Sequence, residues 1–167
     1  MTSTDEQATT FEALRAIARD HLSPQDADRW VDLLRLGVRL RKAAAGEPVV
    51  GQLGGAPRLP ADVAWPVWEA EGCALSFVAV LDCAALRAVA AAQGEELPLA
   101  TDGRLAFFLG HDEEEARIVD VFDRNSWDGA RVLHLPPEQP GEEERPVPEG
   151  TPRYAAVPLT ATLAPTL

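Results

Sequence analysis

Lysine is almost absent from this chain: Lys42 stands alone beside fourteen arginines, in a sequence with 27 acidic residues. The resulting net charge is −12 at pH 7. Sequence-independent nucleic-acid binding needs clustered basic residues that displace counterions from phosphates, and anionic membrane surfaces attract the same residues. The charge therefore predicts no nucleic-acid partner and no membrane partner, and it favours solubility or a basic protein partner.

Cysteine is also scarce, and long apolar runs are missing. Cys73 and Cys83 form no C-x-x-C arrangement, so the sequence predicts reduced thiols rather than a disulfide or a redox pair. No segment approaches the roughly 18 consecutive apolar residues that indicate a transmembrane helix. The first residues are polar and acidic and lack the basic region of a signal peptide. We therefore predict a cytoplasmic protein.

Hydrophobic residues and prolines are plentiful. A content of 46% hydrophobic and 25% charged residues over 167 positions is typical of one soluble globular domain. Fourteen prolines indicate many extended connections. We interpret the scarcity of lysine and the abundance of alanine as the GC-rich coding bias of a bacterial gene.

The beginning of the chain carries helical patterns. Apolar residues recur at helical spacing over 10–21. Ser23 is suited to an N-cap and Pro24 to a first helical position. The second helix is predicted to continue to about Ala44, where basic residues would meet the negative end of its dipole. Together these patterns predict an N-terminal helical extension over 1–46.

Short apolar segments separated by turn residues follow. The predicted strands cover 49–53, 75–81, 104–109, 117–122, 131–135 and 154–159. Asp82 is expected to cap a short helix over 83–92, and the proline-rich segment 136–152 has the composition of a mobile loop. Helices followed by strands predict an α+β fold. It has an N-terminal helical pair, then a mainly antiparallel β-sheet domain over 47–167 with one short inserted helix.

The most distinctive segment is the loop from Gly51 to Pro60. Its glycines permit backbone angles closed to other residues, and its prolines fix φ and remove amide donors. The residues predicted to shape this loop and the segment after it are Gly54, Gly55, Pro57, Pro60 and Pro66. A phosphate cradle is disfavoured because no Lys-Ser/Thr pair follows and Arg58 is the nearest cation.

Residue patterns typical of catalysis or metal binding are missing. His111, Asp112 and Glu113 offer ligands without a spacing characteristic of zinc or calcium. Ser76 lies outside a G-x-S-x-G motif, and nothing local favours a Cys-His pair. We therefore predict no catalytic residue, no metal and no cofactor, and we favour a non-enzymatic protein over an enzyme.

Tryptophans are the most informative side chains near the loops. Trp65 and Trp68 flank a Pro-Val pair, and Trp127 lies beside a turn. Exposed aromatic residues mark interfaces or ligand grooves, whereas buried ones cover a core. With Arg58, these three tryptophans are the candidate ligand-binding or partner-binding residues.

Several short motifs follow one another in order: 53–57, 59–60, 65–66, 75–79, 97–98, 103–108, 131–136 and 157–160. Taken together they resemble the YwqG-like proteins, a bacterial family of unknown function. The resemblance covers roughly 48–162 and implies a sheet-rich α+β fold without an established activity. It also implies an immunity-like binding role, by analogy with relatives found beside secreted toxins.

The chain departs from this family in two places. Val80 occupies the position where the resemblance implies a glutamine, which puts a polar site there in doubt. Family members also continue past the segment matching 157–160, so the chain is expected to be either a short variant or a fragment that lacks part of the domain.

Three functions follow as alternatives. The first is a protein-interaction module, suggested by the acidic charge, the tryptophan-bearing loops and the lack of a catalytic constellation. The second is a small-molecule-binding protein or enzyme with a pocket beside the Gly54–Gly55 loop. The third is a homodimer formed through the apolar strands.

Overall fold

A computed structural model of the chain describes residues 11–110, 119 and 122–166. The predicted turn at His111 and most of the predicted strand over 117–122 lie outside these residues. The described residues form two N-terminal helices, a six-stranded sheet, a further short helix and a two-stranded hairpin. The predicted α+β class is confirmed.

Two helices open the described part of the chain: α1 (Phe11–His21) and α2 (Pro24–Leu33). The start of α2 follows the predicted chemistry, since the Ser23 hydroxyl accepts a hydrogen bond from the Asp26 amide at 3.2 Å and Pro24 occupies the first turn. The two helices contact each other. No helix among the described residues is long and apolar enough to cross a membrane.

The predicted end of the second helix near Ala44 is wrong. The helix ends at Leu33, and Leu34 already has extended backbone angles of φ −62° and ψ 140°. Arg35–Lys42 then form strand β1, so the basic residues assigned to a helix terminus lie on a strand instead. Apolar residues alternate along β1, and Gly37 in its middle disfavours a helix. This segment also pairs with a strand from the other end of the chain, and the pairing stabilises the extended conformation over a helix.

Seven further strands follow: β2 (Gly51–Leu53), β3 (Val67–Trp68), β4 (Cys73–Ala74), β5 (Ser76–Asp82), β6 (Arg104–Leu109), β7 (Ala130–Leu135) and β8 (Val157–Thr166). The order in the large sheet is β1-β8-β2-β5-β6-β7, and β3 pairs with β4 alone. The pairs β2–β5, β2–β8, β5–β6 and β6–β7 are antiparallel. The last strand begins later than predicted and extends to Thr166 because β1 pairs beside it.

The inserted helix, α3 (Cys83–Ala92), forms as predicted. Asp82 caps it by accepting a hydrogen bond from the Ala85 amide at 2.7 Å. Gly94, with φ +75°, follows the last turn. The helix therefore starts directly where β5 ends.

The strand register assigns side chains to two faces of the sheet. Gln52, Val80 and Ala106 are aligned across β2, β5 and β6 on one face, which we call the front face. Successive residues alternate, so the row that includes Leu53 and Phe107 lies on the back face. The main buried cluster consists of Leu59, Trp68, Leu75, Phe77, Ala106, Phe108 and Leu135.

By its internal contacts the chain divides into two units. One contains the described residues of Met1–Leu40 and Ala161–Leu167, with both N-terminal helices. The other is Arg41–Thr160 and contains the main buried cluster and α3. Every residue of the candidate site described next belongs to this second unit.

Candidate functional site

The Gly54–Gly55 loop turns the chain away from β2 at the front face. Gly54 and Gly55 have φ of +66° and +83°, a region that other residues rarely adopt. Their amides donate to the carbonyl oxygens of Val78 at 2.7 Å and Tyr154 at 2.8 Å. A Cβ at Gly54 would collide with the Ala155 carbonyl. These contacts hold the loop in one shape against two neighbouring segments.

Beside this loop lies a cavity of about 460 Å³. The strands β2, β5, β6 and β8 supply a floor with an apolar centre. Asp82 and Arg104 at the strand ends, the loop and the segment after β7 supply a polar rim. The apolar lining includes Val49, Val50, Ala56, Pro57, Val80, Ala85, Ala106, Leu135 and Pro158. The polar lining consists of Gln52, Arg58, Asp82, Arg104, Glu138 and Glu144. A volume of this size lies within the roughly 300–1,000 Å³ typical of small-molecule sites.

Val80 explains why the floor is apolar. Its side chain lies on the front face between Gln52 and Ala106, in the middle of the lining. This is the position where the resemblance implied a glutamine. Among the described lining residues the one side-chain amide is that of Gln52, whose Nε2 donates to the Gly54 carbonyl at 2.9 Å.

Arg104 is the most buried charged residue of the site, with 7% of its side chain exposed. Its Nη2 donates to both carboxylate oxygens of Glu142 at 2.9 and 3.0 Å. Its Nε and Nη1 donate to the carbonyl oxygens of Pro136 at 3.0 Å and Arg58 at 3.2 Å. All three nitrogens of the guanidinium therefore have partners, and the carboxylate balances its charge. Arg104 thereby ties β6 to both segments that form the rim.

Glu142 is held in its ionised form by the same contacts. Burial raises the pKa of this carboxyl, but hydrogen bonds from Arg104 and from the Gln139 amide outweigh burial, so the pKa lies below its ordinary value of 4.5. The Gln139 amide donates at 3.1 Å. Ionised Glu142 therefore balances the buried charge of Arg104 at neutral pH.

Arg58 lies at the mouth of the cavity and forms an ion pair with Glu138. Both side chains are 45% exposed. The hydrogen bond that Arg58 donates to Glu138, with the charges of Glu138, Glu144 and Glu142, raises the pKa of Arg58 above its ordinary value. Unlike Arg104, this pair is accessible to water and to a ligand.

The proline-rich segment 136–152 contains no helix or strand, yet several contacts attach it to the loop. The Arg145 amide donates to the Pro57 carbonyl at 2.8 Å, and its guanidinium donates to the Pro60 carbonyl at 2.9 Å. Together with the Arg104–Glu142 pair, these bonds fix the segment as one wall of the cavity. Its composition alone predicted only a mobile loop.

The structure places the three predicted tryptophans in different environments. Trp68 is 4% exposed, and its indole N–H donates to Asp128 at 2.9 Å. Trp65 is half-buried and donates to the Leu75 carbonyl at 2.9 Å. Trp127 is 47% exposed, with the Arg124 guanidinium 5.5 Å from its ring centre. None of the three lines the cavity, whereas the fourth candidate, Arg58, does.

Among the described residues of the cavity lining there is no hydroxyl, thiol or imidazole, so the acidic groups there are the carboxylates of Asp82, Glu138 and Glu144. Cys83 is buried, and burial, with the charges of Asp82 and Asp102, raises the pKa of its thiol. His134 is exposed on β7, with Nε2 3.2 Å from the Asp102 carbonyl oxygen. Among the described residues no cluster of three or more His, Cys, Asp or Glu could hold a metal ion.

A family model described as "Domain of unknown function (DUF1963)" matches residues 51–163. The chain belongs to this family. The match spans β2 to β8 and thus includes the loop and nearly the whole lining of the cavity in this DUF1963 domain. No curated protein matches the sequence.

Two residues that build the rim of the cavity in this DUF1963 domain were not predicted from the sequence. Arg104 begins a strand and Glu142 lies in an acidic, proline-rich segment, so both resembled ordinary surface residues. The only signal was an arginine between Gly103 and an apolar strand, and that position gives no information about a partner 38 residues away. Arg58 was found because it is the one cation in the loop.

Proposed function

We propose that this DUF1963 domain binds a small molecule in the cavity beside the Gly54–Gly55 loop. The cavity itself supports the proposal, because an apolar floor surrounded by a few charged side chains is typical of ligand sites. The floor excludes water from the apolar part of a ligand, and the rim selects its polar end. Since the described residues of the lining include no hydroxyl, thiol or imidazole, we propose binding without catalysis.

Filling the floor should abolish this binding. Val80→Trp places a large ring in the middle of the lining, so we expect the apparent affinity for cavity ligands to fall at least about tenfold. The measurement is saturation-transfer NMR with a fragment mixture of aromatic amines, acids and alcohols, followed by titration of the compounds that bind. Thermal melting of the variant checks that it remains folded.

Val132→Trp is the matched control. Val132 is 57% exposed on the back face, so the same ring there leaves the cavity unchanged. Fragments that bind the wild type and Val132→Trp, but not Val80→Trp, would support the proposal. Fragments that bind all three proteins equally, or a wild type that binds none, would contradict it.

A protein-interaction module is the second candidate function, and the back face favours it. Leu53 and Val132 lie in one row across the sheet with Ala79 and Phe107 between them. Leu53 is 42% exposed and Val132 57% exposed, which leaves apolar surface in contact with water. A net charge of −12 would steer a basic partner toward the domain. A second copy of the chain is the alternative occupant.

Replacing apolar residues of this row tests whether the row binds another protein or a second copy of the chain. We expect Leu53→Lys with Val132→Lys to weaken capture of a basic host protein at least about tenfold, because two charges would be buried in the interface. Immobilised protein and quantitative mass spectrometry measure the capture, and light scattering over a concentration series measures self-association. Capture equal to that of the wild type would exclude this row as the interface, and a concentration-dependent dimer lost in the variant would identify the chain itself as the partner.

We also propose a narrower family, a cellular compartment and domain boundaries for this protein. The ordered motifs support a YwqG-like bacterial domain with an immunity-like binding role. The two free cysteines support a reducing compartment, and we propose the cytoplasm. The family match beginning at residue 51 supports an N-terminal extension over 1–46 followed by the family domain.

A further inference from the structure

The charges of the cavity indicate which kind of ligand it takes. We propose that it binds a small molecule with an apolar body and a cationic amine or guanidinium group. This inference rests on the proposed ligand-binding function and adds a charge preference to it. The apolar body would lie on the floor around Val80, and the cation would lie at the rim near Asp82 and Glu144.

Both arginines of the lining already have carboxylate partners. Arg104 uses its guanidinium on Glu142 and on two carbonyl oxygens, and Glu138 lies 3.7 Å away on its other side. Arg58 is paired with Glu138. The positive charges of the site are therefore balanced before a ligand enters, which leaves Asp82 and Glu144 as the excess negative charge of the lining.

The groups facing these two carboxylates balance them only in part. Arg104 is the cross-strand neighbour of Asp82 and Arg58 lies within reach of the charge of Glu144, but both guanidiniums make their hydrogen bonds elsewhere, to Glu142 and Glu138. Asp82 accepts from the Ala85 amide at the N-terminus of α3, whose dipole carries roughly half an elementary charge. Glu144 lies 3.9 Å from Arg153, and both side chains are more than half exposed, so water screens that pair. A cation at the rim would gain from both carboxylates.

An anionic ligand would meet the opposite situation. To reach Arg58 it would have to displace Glu138 while lying near Glu144 and Glu142, whose charges already reach this guanidinium. The net charge of −12 also lowers the local concentration of anions around the domain. Complementarity of charge therefore favours a cation.

Three probes with the same apolar body and different end groups test this preference: phenylbutylamine, phenylbutanol and phenylbutyrate. Titration of the full chain, followed by amide chemical shifts in two-dimensional NMR, gives a dissociation constant for each probe. We expect the amine to bind about fivefold more tightly than the alcohol and the acid to bind most weakly. Raising the salt concentration should weaken only the binding of the amine.

Asp82→Asn with Glu144→Gln removes the two charges and keeps the helix cap, since Asn caps as well as Asp. We expect the preference for the amine over the alcohol to fall to about one in this variant. The control Glu95→Gln with Glu96→Gln changes the net charge equally at exposed positions that do not line the cavity. It should keep the preference.

The outcomes separate this inference from the proposed function. Equal binding of amine and alcohol, or tighter binding of the acid, overturns the charge preference and leaves the cavity as a ligand site. If the cavity variant keeps the preference for the amine, Asp82 and Glu144 do not cause it, and the inference is overturned. If the control variant loses the preference equally, the overall charge causes it, and the inference is overturned as well. If none of the probes shifts residues of the lining and the fragment mixture also fails, the ligand-binding function itself is wrong.

Discussion

Arg104→Met should destabilise the protein by about 3–5 kcal/mol, because it leaves one partner of a buried ion pair without the other. Glu142 would remain with 10% of its side chain exposed and no guanidinium. The carbonyl oxygens of Pro136 and Arg58 would lose their donor in the same step. Equilibrium unfolding in urea, followed by tryptophan fluorescence and by circular dichroism, measures the change.

The loss of unfolding free energy in Arg104→Met should depend on pH and should be smaller in acid. The pKa of Glu142 is lowered in the folded protein, so its ionised form contributes stability above pH 4.5, and the contribution is lost as the pH falls through the lowered pKa. Arg104→Met removes the main partner of that carboxylate. The difference in unfolding free energy between wild type and variant should therefore be largest near neutral pH and smaller in acid.

Two further variants isolate the pair. Arg104→Met with Glu142→Met removes both charges and should recover part of the loss, since two apolar side chains need no partners. Arg19→Met removes an arginine from an exposed pair with Asp28, in which both side chains are more than half exposed, and should cost less than about 1 kcal/mol. An Arg104→Met variant no less stable than Arg19→Met would refute the structural role assigned to this pair.

Local chemistry predicted local structure well in this chain. Ser23 and Asp82 were identified as helix caps from their residue types and positions, and both make the expected hydrogen bonds. Such bonds involve residues three apart, so a short window of sequence contains all the necessary information. Strands β2, β5, β6 and β7 were found for the same reason, because alternation or a short apolar run identifies a strand.

Features that depend on distant pairing were not predictable. The segment Arg35–Lys42 continued a helical pattern closely enough to be assigned to the helix before it, and its partner is the strand that ends at Thr166. The cavity likewise requires β2, β5, β6 and β8 to be neighbours, which no single segment reveals. Chain entropy opposes such pairings locally, and only the assembled sheet stabilises them.

The two candidate functions use opposite faces of one sheet. Residue alternation places Val80 on the front face and Ala79, with its exposed neighbours in the row, on the back face. A substitution on either face can therefore be made without altering the other. This separation lets the small-molecule and protein-partner hypotheses be tested independently in the same protein.

Among the tryptophans, Trp68→Ala should have the largest effect, a loss of about 3–5 kcal/mol in unfolding free energy. Its ring lies so close to Gly110 and Gly129 that a Cβ at either position would collide with it. The ring belongs to the main buried cluster, and its N–H bond to Asp128 joins that cluster to the 3-10 helix Arg124–Gly129. Thermal and urea unfolding, followed by circular dichroism, measure the loss.

Trp127→Ala is the informative comparison, because this ring is 47% exposed and its loss should change stability by less than about 1 kcal/mol. A decrease in partner capture with Trp127→Ala would therefore report a lost contact, whereas a decrease with Trp68→Ala would report partial unfolding. Trp68→Phe, which keeps an aromatic ring and removes only the N–H, should fall between wild type and Trp68→Ala. Equal stability of Trp68→Ala and Trp127→Ala would mean that Trp68 does not support the core, and Trp68 would then return to consideration as a binding residue.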